Sequence, residues 1–179
     1  MVNFTFHTPE NTTGSTKELL ANIQKNYGFF PNLYGYMAEA PTTIEAYLAL
    51  NDLVSKTSFT PAQQQVALLA VSVENNCDFC SIAHQAMGKM HKANLQTLTA
   101  IASYGIIADP QDRALASFAQ SITKNRGRPA EVEVQAFLDA GFTKQQILEV
   151  ILIVSIKTLS NYTNHLTNTE TNKELLAML

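Results

Sequence analysis

The chain has 179 residues, 46% of them hydrophobic and 15% charged, with a net charge of −3 at pH 7. That length suits one domain spanning 1–179, with a core large enough to dispense with disulfide staples, and the weak negative charge offers no basic field for nucleic acid. No apolar run approaches the roughly 20 residues a membrane-spanning helix needs, and "MVNFTFHTPENTTG" lacks a basic region followed by an apolar one, so a soluble, cytoplasmic protein without a membrane partner is expected.

Helix start and stop signals follow one another at short intervals, and no hairpin dipeptide stands between alternating strands, so the expected fold is all-α. Ser15 and Glu18 form a capping-box pattern ahead of Leu19, Leu20 and Ile23, with Gly28 as the stop. Pro31 can open a short helix at its first position, and "APTTIEAYLALNDLVSK" places Ile44, Tyr47, Leu48 and Val54 at helical spacing. Thr60 and Gln63 bracket Pro61 and open "PAQQQVALLAVSV". Asn75 or Asn76 then interrupts this segment and caps a new helix running to about Met90. Helices are expected over "NLQTLTAIASYG", from Asp109 to a stop at Gly127, and over "PAEVEVQAFLDAG". Thr143 and Gln146 open the last one, apolar nearly all round from Ile147 to Ile156 and therefore central to the core or buried in a subunit interface. The aromatic group Tyr27, Phe29, Phe30, Tyr34 and Tyr36 reads as core or subunit packing rather than as channel walls.

The only two cysteines lie in "ENNCDFCSIAH". On a helix Cys77, Cys80 and His84 stand at i, i+3 and i+7 and share a narrow arc. In a reducing compartment such a pair is more often catalytic or metal-binding than structural. With an asparagine cap, Cys77 falls in the first turn and Cys80 at its end, where free backbone amides favour a thiolate. Lowering a thiol pKa by about two units nevertheless gains only about threefold in rate, because nucleophilicity falls with basicity. Proton transfer must supply the rest, and His84, one turn beyond Cys80, is placed for it. The spacing makes Cys80 the attacking thiol and Cys77 the one that resolves a sulfenic acid to a disulfide. Glu74 is the candidate carboxylate to orient the imidazole or relay its proton through water. A zinc site on Cys77, Cys80 and His84, completed by Glu74 or His91, lacks the second downstream ligand pair that structural zinc sites carry. His165 reads as a capping or interface residue.

"QVALLAVSVENNCDFCSIAH" resembles the core of the alkylhydroperoxidase D and carboxymuconolactone decarboxylase family, in which a helix carries C-x-x-C-x-x-x-H. "YGFFPNLYGYMAEAP" and "LSNYTNH" resemble its peroxidase-related branch. The resemblance implies an all-α helical bundle assembling as a homo-oligomer, trimer or hexamer, and thiol peroxidase chemistry on a peroxide substrate with an external dithiol as reductant and no cofactor. It implies a peroxidatic Cys80, a resolving Cys77 and a relay through His84. Two positions depart from it: Gln65 stands where the family relay has a glutamate, and Phe79 where well-known members have a histidine. The alternatives are a redox-sensing, non-catalytic homo-oligomer of the same fold, and a lactone decarboxylase that would not need the cysteines.

Overall fold

The computed structural model describes residues 3–179, and the regular elements among them are all helical. In chain order they are α1 (Gly14–Tyr27), α2 (Asn32–Met37), α3 (Pro41–Ser55), α4 (Pro61–Glu74), α5 (Asp78–Met90), α6 (Leu95–Ala102), α7 (Pro110–Lys124), α8 (Glu131–Asp139), α9 (Lys144–Thr167) and α10 (Lys173–Ala177). The boundaries follow local chemistry. Thr60 and Thr143 each close a reciprocal capping box, with Gln63 and Gln146. Asn94 and Asp109 accept hydrogen bonds from the first-turn amides of α6 and α7.

Three boundaries differ from the sequence reading. Thr13, not Ser15, is the N-cap of α1. Pro31 sits at the cap of α2 rather than at its first position. The asparagines do not cap α5 but finish α4: Asn75 is its C-cap, and Asn76 takes a left-handed φ of 55°. The Asn76 and Cys77 amides then donate to the Val73 and Ser72 carbonyls, as in a Schellman turn. α10 carried too few residues to stand out as a periodic pattern.

α4 is the central helix. Every residue from Gln64 to Val73 is buried, and α3, α5, α6, α7 and α9 pack around it. A helix apolar on all faces can bury them all only by being surrounded. Beside it, Phe137 stacks between Phe118 and Phe142 at centroid distances of 4.4 Å, and Phe59 meets Phe142 edge-on. α9 lies across α2, α3, α4, α5 and α7. Its inner face is apolar over Val150, Ile153 and Ile156, then turns polar at Lys157, Ser160, Asn161 and Asn164, all buried. Leu148, Ile151 and Leu166 point outward.

Candidate functional site

The elbow between α4 and α5 puts Cys77 at the N-cap of α5, so that Cys80 is the third residue of the helix. Both thiols are free and 2% exposed. The elbow is tied to α9 where Asn75 Nδ2 donates to Asn161 Oδ1 at 2.9 Å. One turn further along α9, Asn164 Nδ2 lies 3.2 Å from Cys80 Sγ and 3.7 Å from Cys77 Sγ, a donor shared by both sulfurs. Ser160 Oγ is 3.9 Å from Cys80 Sγ. Asn161 Nδ2 and Asn164 Oδ1 are buried without a hydrogen-bond partner.

His84 is held at both ring nitrogens: Nδ1 is 2.9 Å from Gln65 Oε1 on α4, and Nε2 is 2.8 Å from Lys157 Nζ on α9. An amide oxygen can only accept, so Nδ1 carries the proton, and Nε2 is then free to accept from Lys157. Burial, followed by the charge of Lys157, holds the imidazole well below its usual range and keeps it neutral. Lys157 itself is 1% exposed.

The two thiols are driven apart. Burial opposes a thiolate at Cys80, but the Cys77 thiol beside it and the charge of Lys157 outweigh it and hold Cys80 well below the usual thiol range. The hydrogen bond to Cys80, then burial and the negative charge of that neighbour, push Cys77 up. The pair thus combines a stabilised thiolate with a retained thiol. Tyr47 is kept protonated by burial and then by the charge on Cys80.

Cys80, His84, Gln65 and Lys157 all border one cavity of about 450 Å³. Its walls are largely apolar, with Leu33, Leu68, Phe79, Ala83 and Met87 among them, and Leu175 and Met178 close it from the C-terminal segment. Tyr27, Phe29 and Tyr34 also line it, so three of the five aromatics expected to be packing residues are cavity walls; Tyr36 packs edge-on against Phe6 instead.

Of the residues singled out in the sequence, Cys77, Cys80, His84 and Gln65 come together. Glu74 does not join them: it ends α4, neither lines the cavity nor bonds to His84, and both ring nitrogens are already occupied. His165 is exposed and stacks on Tyr162. Among the described residues no group of three or more His, Cys, Asp or Glu side chains gathers as a metal site. Sequence reasoning missed Lys157, Ser160 and the chemical part of Asn161 and Asn164. Their signal was present as four polar residues at i, i+3, i+4 and i+7 in a helix otherwise rich in apolar side chains.

No protein-family profile matches this chain, and no curated protein does. Solved structures do match it. The alkylhydroperoxidase D core of an uncharacterised peroxidase-related protein from Ralstonia eutropha JMP134 is 21% identical with a TM-score of 0.86, over 98% of this chain and 95% of the other. An uncharacterised peroxidase-related protein from Silicibacter sp. TM1040 is 19% identical with a TM-score of 0.76, over 89% and 86%. The debrominase Bmp8 in complex with 2,3,4-tribromopyrrole is 15% identical with a TM-score of 0.79, over 99% and 96%. The chain has the alkylhydroperoxidase D fold.

Proposed function

We propose that this chain is a thiol-dependent peroxidase. The observation that carries the reading is the placement of the cysteine pair: Cys80 borders the cavity beside Lys157 and His84, while Cys77 stands behind it, off the cavity wall, within reach of the same Asn164 amide. In the cycle the Cys80 thiolate attacks the outer oxygen of a hydroperoxide; the S–O bond forms, the O–O bond breaks, and Cys80 becomes a sulfenic acid. Cys77 then attacks that sulfur, its proton leaves with the hydroxyl as water, and a Cys77–Cys80 disulfide remains. An external dithiol, available in a reducing compartment such as the cytoplasm, restores both thiols. The outward apolar residues of α9, Leu148, Ile151 and Leu166, support assembly as a homo-oligomer.

Peroxide consumption with a dithiol reductant tests this on the wild type, Cys80→Ser and Cys77→Ser. Cys80→Ser is expected to lose turnover and Cys77→Ser to accumulate a trappable sulfenic acid. Equal background rates in all three would remove the peroxidase reading.

The likeness to a debrominase with a bound tribromopyrrole favours a second reading for the same thiols. The cavity, far larger than hydrogen peroxide requires, is wide enough for a halogenated aromatic. Two thiols would supply the two electrons: a carbon–halogen bond is replaced by carbon–hydrogen, halide leaves, and the disulfide forms. Dithiol-dependent halide release from bromopyrroles, without peroxide consumption, would favour it over the first.

A further inference from the structure

We propose that Lys157 is the proton donor to the leaving oxygen, so that in this chain a cation on α9 supplies the proton otherwise expected from a carboxylate at position 65. This rests on the peroxidase reading above. Three observations meet here. Lys157 is a buried lysine whose Nζ lies 2.8 Å from His84 Nε2, and no acidic residue is paired with it among the described ion pairs or cavity walls. It borders the same cavity as Cys80, where a hydroperoxide must sit for the thiolate to reach its outer oxygen. The Gln65–His84 contact fixes the imidazole as the Nδ1–H form, leaving Nε2 an acceptor that positions the lysine and holds no proton for the substrate.

The apolar walls explain why a lysine is needed. Leaving as an alkoxide in a poorly solvated pocket is unfavourable, and the strongest available remedy is a donor already in place. The proton balance closes. In the resting pair the Cys80 proton resides on Lys157. When the O–O bond breaks, the alkoxide takes that proton and leaves as an alcohol, and Lys157 becomes a neutral amine. Cys77 supplies the hydrogen that leaves with water, the external dithiol returns one hydrogen to each sulfur, and the Cys80 thiol reprotonates Lys157. The net reaction is hydroperoxide plus dithiol to alcohol, water and disulfide.

Leaving-group chemistry separates proton donation from simple stabilisation of the thiolate. Single-turnover oxidation of Cys80 is measured with tert-butyl hydroperoxide, whose alkoxide must be protonated, and with peracetic acid, whose carboxylate need not be. Lys157→Met is expected to slow the first by roughly 10²–10⁴-fold, the range of general acid catalysis, and the second much less. Lys157→Arg keeps a charge but holds its proton too tightly to donate, so it should alkylate with iodoacetamide like the wild type and still lose the alkyl hydroperoxide reaction selectively. Equal slowing with both oxidants in both variants would reduce Lys157 to a counter-ion and overturn the proposal. The wild type provides a check independent of folding in the variants: across hydroperoxides of graded leaving-group acidity its rate should vary little, and a steep dependence overturns the assignment. If neither oxidant oxidises wild-type Cys80, the peroxidase reading itself fails and takes this proposal with it.

Discussion

An amide at position 65 decides which proton His84 carries. Gln65 Oε1 requires a hydrogen on Nδ1, and the second ring nitrogen faces Lys157. From sequence the residue reads as a broken relay; in the structure it is a tautomer lock. A carboxylate there would accept the same hydrogen bond but favour the imidazolium. Gln65→Glu is therefore expected to raise the His84 midpoint toward the ordinary range, seen by NMR titration of the ring, while changing peroxidase turnover by less than about tenfold. A larger gain would place the missing proton at position 65 rather than on α9. The same burial sets a pH dependence of stability. The folded His84 pKa is depressed, so below the unfolded value of about 6.5 the unfolded chain binds the extra proton and stability is lost as pH falls. Its share of that slope is at most about 1.4 kcal/mol per pH unit, and His84→Gln should remove it from denaturation curves measured between about pH 6.5 and 5.

α9 supplies the polar wall of the site from one face of one helix: Lys157, Ser160, Asn161 and Asn164 succeed each other down the side that meets the start of α5. Each amide is oriented by what it bonds, Asn161 through Asn75 and Asn164 through the sulfurs. A hydrogen bond to a charged group contributes about 1.5–3 kcal/mol, so Asn164→Ala should raise the Cys80 midpoint by roughly one to two units, read from the pH dependence of its alkylation by mass spectrometry. No change would mean that the Cys77 thiol and Lys157 hold the thiolate without this amide. The two helices differ in how much of this could be read beforehand. The α5 motif is local, and its spacing alone brings Cys80 and His84 to one face. The α9 stripe has the same helical period, but its meaning depends on which helix it meets, and only packing decides that. At the elbow the order of the two caps was misread because asparagine serves both as an N-cap and as a left-handed residue past a helix end; here Asn76 does the second.

For the whole molecule, helix order and most boundaries were legible because capping residues and apolar periodicity act within a few positions. The cavity was not. Its walls come from residues as far apart in the chain as Asn26 and Met178, and the tyrosines and phenylalanines among them look in sequence like any other core aromatics. α4, α5 and the C-terminal segment all contribute walls to it, and the C-terminal segment is tied to α5 where the Lys89 ammonium donates to the Met178 and Leu179 carbonyls. A cavity of about 450 Å³ is more than hydrogen peroxide can use, so its volume should appear in the choice of substrate rather than in the chemistry. Ala83 borders it one residue before His84 and is only partly buried, so a larger side chain there can occupy the space without entering the core. Ala83→Phe is expected to lower kcat/KM for a bulky substrate such as cumene hydroperoxide by roughly 10–200-fold, the range available to a hydrophobic pocket, while leaving hydrogen peroxide nearly unaffected. Equal loss with both would mean that the phenyl ring disturbs His84. No loss with either would mean that the oxidant reaches Cys80 by a path other than this cavity.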